Sequence, residues 1–483
     1  MGVLSNLEPK DVFSYFEYLS SVPHGSGNTK QISDLCVRFA REHGLRYRQD
    51  ALNNVIIWKD ASPGCEQAAP VILQGHLDMV CAKADGCQID MAREPIRLRT
   101  DGESVWAEGT SLGGDDGVAV AMALAVLADD SLKHPPLEAV FTVDEEVGMD
   151  GAAGLDCSDL KGRLLLNIDS EDEGVFTVCC AGGLRLDCTL PAVSRPLDGE
   201  RGFKLSIAGL LGGHSGVEID KGRANANHLM GRVLYMACDA VPGLRLAGLR
   251  GGQFDNVICR ACEATVAVPA ADAPALERFV EDFAAVLRLE YAAGDPDLTL
   301  CCAPCAVKTA LSADDTARLT ELLFLLPQGV QERSLDFPGL TETSLNLGML
   351  SLSPEGLRFT YSLRSCVDSR KELLRRRVRA AVERAGGTVS ERGNYPSWQY
   401  RRDSALRALV LDAWRAVSGS EGRIHATHGG LECGLFMGKL PGLDAVSFGP
   451  DLKDIHSARE RLDVASVQRV YALVCEILRR CAE

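Results

Sequence analysis

Apolar positions recur with helical spacing over residues 11–21 and 30–43, then give way to short apolar runs at 70–74, 137–143 and 163–168. Between the first two runs lies an almost unbroken apolar stretch, 116–128, long enough for a buried helix. Helices alternating with strands predict an α/β layer with a mostly parallel sheet. Each short run stops at a polar cluster: Gly75-His76-Leu77-Asp78 after the first, Asp144-Glu145-Glu146 after the second and Asp169-Ser170-Glu171 after the third. Sites in open α/β sheets form at the carboxyl ends of the strands, so these clusters are candidates to converge in one crevice.

The pattern changes near Gly182-Gly183. From Leu184 the apolar runs become short and alternating, at 203–207, 264–268, 298–301 and 357–363, with helical stretches at 225–237 and 275–288 between them. This reads as a separate α+β domain. After Tyr395-Pro396 the first pattern resumes, with a helix at 405–418, a loop at 425–434, a strand at 445–448 and a last amphipathic helix capped by Asp463. The simplest organisation is a discontinuous α/β catalytic domain, residues 1–183 and 394–483, interrupted by a domain inserted over 184–393.

Composition narrows the function classes. A chain of 483 residues exceeds one ordinary core, and 46% hydrophobic with 24% charged residues is the balance of a soluble globular protein. A net charge of −16 and only 6% aromatics lack the basic footprint and stacking platforms of nucleic-acid binding. No stretch approaches the roughly 18 apolar residues of a membrane helix. Residues 1–10 have neither a basic nor an apolar segment, so no secretory signal is expected, and Asn6 stands where a myristoylation signal needs Ser or Thr. Eighteen cysteines without an export signal point to reduced thiols in the cytoplasm. Cys301, Cys302 and Cys305 suggest a zinc knuckle but have no histidine near them in sequence; with Cys179-Cys180 they are read as free thiols.

The polar clusters offer a donor set. His76 and Asp78 lie two apart in an extended segment and point the same way, so one can bind a cation while the other orients it. Asp115 follows the glycine turn Ser111-Leu112-Gly113-Gly114 at the start of the long helix, a good place for a carboxylate shared by two cations. Of Glu145 and Glu146, one can bind metal while the other moves a proton. Asp169 ends the third strand, and His456-Ser457 follows the strand at 445–448. Carboxylates and imidazoles in this number suit two cations about 3.5–4 Å apart.

These segments, together with Gly148-Met149-Asp150-Gly151-Ala152, Asn167-Ile168-Asp169-Ser170-Glu171, Gly212-Gly213-His214-Ser215-Gly216 and Gly430-Leu431-Glu432-Cys433-Gly434, span almost the whole chain. In this order they resemble the di-zinc aminoacylase/carboxypeptidase/dipeptidase superfamily, and within it the bacterial aminoacyl-histidine dipeptidases, also called cytosolic non-specific dipeptidases. One motif departs from the pattern: Leu112-Gly113-Gly114-Asp115-Asp116-Gly117 stands where Leu-Gly-Ala-Asp-Asn-Gly is expected, and the extra charge of Asp116 bears on metal preference.

The resemblance implies the following roles. Asp115 bridges two divalent metal ions, expected to be zinc, with manganese or cobalt as alternatives. His76 and Asp169 complete one site, Glu146 and His456 the other, and Asp78 braces His76. Glu145 is general base and acid for attack by a metal-bridging hydroxide. His214 stabilises the oxyanion, Asn256 contacts substrate and Arg364 holds its terminal carboxylate. His428 and Glu432 are placed at the pocket wall. The implied activity is hydrolysis of dipeptides such as Xaa-His or carnosine, with N-acyl amino acid deacylation or carboxypeptidase action as the alternative. The implied partners are small peptides with a free C-terminal carboxylate, not nucleic acid or membrane. With every ligand and Glu145 present, a catalytically dead binding homologue is disfavoured. In shorter members the inserted lid is smaller and dimerises, and the oxyanion histidine comes from the partner. The enlarged insert here is long enough for two domains, so its second half, with Thr343-Ser344-Leu345-Asn346 and Arg364, is expected to stand in for that partner and to let His214 act in its own chain. The oligomer, monomer or homodimer, is left open.

Overall fold

The computed structural model describes residues 2–483. It divides into two compact units. The first runs to Cys180 and resumes over Trp398–Ala426 and Leu431–Glu483; the second comprises Ala181–Ser397 and Thr427–Gly430. The chain therefore passes between units four times, because a short tail segment belongs with the second unit.

Among the described residues, the first unit is built on an eight-stranded sheet. Its centre is parallel: Leu137–Thr142, Val71–His76, Leu164–Asn167 and Asp444–Ser447 lie side by side in that order. Antiparallel strands flank it, Val55–Lys59 and Arg46–Gln49 on one side and Val175–Cys180 on the other. The central strands are buried on both faces, which explains why they read as continuous apolar runs. Their register pairs His76 with Thr142, Gln74 with Asn167 and Ser447 with Asn167, so all four end at nearly one level. Asp78, Glu145 and Asp169 lie just beyond those ends.

The helix Gly114–Ala128 is buried along its length, and so apolar on every side. It does not start regularly. Gly113 is left-handed (φ 69°), and Asp115 (φ −82°, ψ 105°) and Asp116 (φ −117°, ψ 27°) are non-helical, so Asp115 projects from a kink ahead of the regular turns. Gly75 makes this approach possible: a Cβ there would lie 2.6 Å from Asp116 Oδ2 and 3.0 Å from Ala119 Cβ. The C-terminal helix Val464–Cys481 is capped as expected, the Asp463 carboxylate accepting the Ser466 N–H at 2.7 Å. The stretch expected as a loop at 425–434 is instead the end of the strand Arg423–Thr427 and the start of the helix Glu432–Lys439, with Gly429 and Gly430 in the short link and Gly434 inside the helix.

The second unit contains a duplication. Arg201–Ala208, Ala226–Ala240, Arg245–Gly251, Cys262–Val268, Ala273–Glu290 and Thr299–Cys305 form a βαββαβ half. Gly182–Leu190, Ala313–Leu325, Thr341–Ser353, Gly356–Ser365, Asp368–Arg384 and Thr388–Tyr395 form another with the same element order. Numbering the strands within each half, the shared sheet runs 4-1-3-2 and then 2-3-1-4, mirrored about its middle. The halves join edge to edge and antiparallel, with Arg250 opposite Ser351 and Gly251 opposite Leu350. The second half is not contiguous: its first strand, Gly182–Leu190, precedes the whole of the first half. Cys301, Cys302 and Cys305 lie along the outer strand of this sheet.

Candidate active site

In the first unit the polar residues beyond the strand ends meet. His76 is 1% exposed, and its Nδ1–H donates to the Asp78 carbonyl at 2.9 Å. That bond turns Nε2 toward the acids, 3.1 Å from Asp115 Oδ1 and 3.7 Å from Asp169 Oδ1. The other Asp115 oxygen, Oδ2, is 3.2 Å from His456 Nε2, which is in turn 2.8 Å from Glu146 Oε1. One carboxylate thus faces an imidazole on each side. Potential ligand atoms of Asp115, Glu146 and His456 all lie within 4.8 Å of one another, as do those of His76, Glu145 and Glu146, and those of His76, Asp116 and Asp169.

Crowding of charge perturbs these groups. Burial pushes His76 down, but Asp115, Asp169 and Asp78 outweigh it and hold the imidazole well above its usual range. Asp115 and Glu146 raise His456 to about 10. Burial pushes Asp115 up, but His456 and His76 outweigh it and hold its carboxyl far below the ordinary value. Glu145 is raised well above a normal carboxylate by burial, against the opposing effect of His76 and with reinforcement from Asp169, Glu432 and Glu146. Burial among other carboxylates favours the protonated form of Glu145.

Asp78 does more for the acidic pair than for the histidine. Its Oδ1 accepts the Glu145 N–H at 3.0 Å, while Oδ2 accepts the Glu146 N–H at 3.4 Å and the Ser26 hydroxyl at 2.8 Å. Its carboxylate reaches His76 Nδ1 only at 3.5 Å; the backbone carbonyl makes that contact instead. The turn it braces begins at Asp144, held at φ 56°, whose Oδ1 accepts the Gly27 N–H at 2.6 Å.

Glu432 is not at a pocket wall. It is fully buried beneath the strand ends, accepting from Gln74 Nε2 at 2.6 Å and from Thr142 Oγ1 at 2.7 Å. Asn167 Nδ2 continues the chain by donating to Gln74 Oε1 at 2.6 Å. Burial, offset by His76 and Thr142, raises Glu432 to about 7. Gln74 and Asn167 each stand two residues before a candidate ligand, so this network underlies the His76 and Asp169 strand ends.

In the second unit His214, Arg364 and His428 come together. His214 Nδ1 accepts the N–H groups of Gly216 and Val217, both at 3.3 Å, which leaves the proton on Nε2. Its own N–H is fixed by Glu218 Oε2 at 2.8 Å. Burial and the nearby Arg364 lower the His214 pKa, so the ring is a neutral donor. A Cβ at Gly216 would lie 3.1 Å from His214 Nδ1 and 3.2 Å from Arg364 Cζ, so the glycine lets the two approach. Arg364 Nε is buried without a hydrogen-bond partner. His428 shares a 2.7 Å hydrogen bond with Ser344 Oγ, and burial together with Arg364 lowers it to about 3. Asn256 lies in the loop before Val257–Ile258, its carbonyl accepting the Ser215 N–H at 2.9 Å. Asn346 Nδ2 ties down that loop by donating to the Asp255 and Val257 carbonyls at 3.0 and 2.9 Å.

The model for peptidase family M20/M25/M40 matches residues 72–480. The chain belongs to this family. It is 37% identical over 481 residues, 99% of each chain, to the cytosol non-specific dipeptidase of Escherichia coli (strain K12). The crystal structure of aminoacylhistidine dipeptidase from Vibrio alginolyticus superposes with a TM-score of 0.91 at 36% identity, covering 99% of this chain and 98% of that one. Aminopeptidase PepT from Bacillus cereus shares the fold, with a TM-score of 0.57 at 14% identity, covering 99% of this chain and 100% of that one.

Against this M20 background, the sequence patterns gave no role to Ser26, Gln74 or Thr142, and included Asn167 and Ser344 only as members of motifs. Gln74 and Asn167 carried a signal, as polar residues inside apolar strands. No described helix is long and apolar enough to cross a membrane.

Proposed function

We propose that this chain is a dinuclear metallodipeptidase of the cytoplasm, cleaving small peptides that carry a free C-terminal carboxylate. One observation carries the reading: the Asp115 carboxylate stands between His76 Nε2 at 3.1 Å and His456 Nε2 at 3.2 Å. Asp115 would bridge two divalent cations, His76 and Asp169 completing one coordination set and Glu146 and His456 the other. The residues fit such ions. Asp169 Oδ2 is buried with no hydrogen-bond partner, an arrangement that a cation satisfies. Carboxylates with imidazoles suit zinc, and also manganese or cobalt. When bound, the ions supply Lewis acidity at the scissile carbonyl and lower the pKa of water.

The remaining chemistry belongs to the side chains. Glu145 takes a proton from the attacking water and returns it to the leaving amine, a task suited to a carboxyl whose proton affinity is raised by burial. Asp78 fixes the backbone of Glu145 while this happens. His214 donates its Nε2–H to the carbonyl oxygen as negative charge grows there. Arg364 pairs with the substrate carboxylate, Asn256 contacts the peptide, and neutral His428 orients through Ser344. The mirrored halves of the second unit support action of His214 within its own chain, the second half taking the place of a partner's domain.

Dipeptides, including carnosine and other Xaa-His peptides, are the expected substrates. A panel of dipeptides, tripeptides and N-acyl amino acids, assayed with the zinc-loaded protein, tests this. Turnover confined to acyl amino acids, or extending down longer peptides, would contradict it.

A further inference from the structure

Glu460 has no role in the chemistry above, yet it is 3% exposed and carries a full set of contacts. Its Oε2 accepts the N–H groups of Leu112 and Gly113 at 2.8 and 3.2 Å, and its Oε1 accepts those of Gly114 and Asp115 at 2.8 and 3.4 Å. Four successive backbone donors converge on one carboxylate because Gly113 is left-handed and Asp115 and Asp116 are non-helical, which turns these N–H groups inward. Gly114 eases this close packing, since a Cβ there would lie 2.6 Å from Leu452 Cδ2 and 3.2 Å from Glu460 Oε1.

Glu460 also ends the turn that carries His456. That turn is held tightly: Asp454 and His456 have φ 52° and 59°, Ser457 Oγ donates to the Asp454 carbonyl at 2.6 Å, and the Glu460 N–H donates to the Ser457 carbonyl at 3.2 Å. One side chain therefore fastens the segment presenting Asp115 to the segment presenting His456, the two residues that meet at 3.2 Å.

We propose that Glu460 is a positioning residue that sets the spacing between Asp115 and His456, and so selectively maintains the half of the metal centre formed by Asp115, Glu146 and His456. The inference rests on the dinuclear reading. A glutamine is nearly isosteric, but it places an N–H₂ group among N–H donors and can satisfy only one side of the turn.

The test is a chelator-buffered cobalt(II) titration, followed by visible absorption, of the wild type, Glu460→Gln, His456→Ala and the double variant. Wild type should bind two ions. Glu460→Gln should weaken one of them about 10- to 100-fold, the usual range for residues that support ligands, and leave the other within about threefold. The weakened band should be the one lost in His456→Ala, and the double variant should be no worse than His456→Ala alone. Equal weakening of both ions, or unchanged affinities, would overturn the role of Glu460 while leaving the dinuclear centre standing. A wild type that binds fewer than two ions would overturn that reading, and this one with it. Should Glu460→Gln not fold, Glu460→Asp, shorter by one methylene, decides in its place, with the same site-selective loss expected.

Discussion

The Asp78 carboxylate accepts the backbone N–H of Glu145 at 3.0 Å, so the residue two places after His76 fixes the proposed proton carrier. Glu145→Gln should keep both metal ions and lose kcat by about 10²–10⁴-fold, the usual contribution of a general base. Asp78→Asn keeps one acceptor and should cost less, about 10-fold in kcat, with KM and metal content little changed. Single-turnover kinetics on protein of verified metal content checks both. A Glu145→Gln protein with near-normal kcat would remove Glu145 from its role.

How much of this was legible differs by residue. His76, Asp115, Glu146 and Asp169 could be read because each follows an apolar strand or a glycine turn, and local pattern marks strand ends. Glu460 could not, because Ala458-Arg459-Glu460-Arg461 looks like solvated surface, and its partners are nearly 350 positions away. Glu432 was visible as a motif residue, but its burial depends on Gln74 and Thr142 in strands far along the chain. In the insert, the alternating runs revealed strands but not their pairing. Only the fold shows that Gly182–Leu190 belongs with elements more than a hundred residues later. The strand Thr341–Ser353 was hidden by its buried polar residues, among them Thr343, Ser344, which bonds His428, and Asn346, which ties down the loop of Asn256.

The charged state of the histidines makes metal uptake depend on pH. In the metal-free protein His456 sits at about 10 and is protonated at pH 7, while Asp115, Asp169 and Asp78 hold His76 well above its usual value and so favour its protonated form as well. A cation must displace those protons. Zinc affinity should rise with pH, and calorimetry in buffers of differing ionisation enthalpy should show proton release at pH 7. Stability of the metal-free protein should go the other way. A folded pKa raised above the ordinary imidazole value of about 6.5 stabilises fully below that pH and is lost as pH climbs toward the folded value. The melting temperature of chelator-treated protein should therefore fall from pH 6.5 to 9.5 more steeply than that of His456→Ala. Identical slopes would contradict the assignment.

Arg364 should govern recognition of the substrate's end. The wild type should discriminate strongly against C-terminally amidated dipeptides, and Arg364→Ala should shrink that discrimination at least tenfold, within the range of about 1.5–3 kcal/mol for a charged hydrogen bond. The ratio of kcat/KM for free and amidated forms is the measurement, and an unchanged ratio would take Arg364 out of the site.

The mirrored halves of the second unit predict that His214 serves its own chain. Inactive Glu145→Gln and His214→Ala proteins, mixed under conditions that exchange subunits, should recover no activity. Substantial recovery would show that the histidine crosses between chains.

The central claim is that Asp115 bridges two metal ions, and its most direct test is the metal content at equilibrium of Asp115→Ala beside His76→Ala and His456→Ala. In zinc-buffered solution, the wild type should hold two ions per chain. His76→Ala and His456→Ala should each retain one, and Asp115→Ala should retain neither, because it belongs to both coordination sets. Retention of one ion by Asp115→Ala, or equal losses in all three variants, would contradict the bridge.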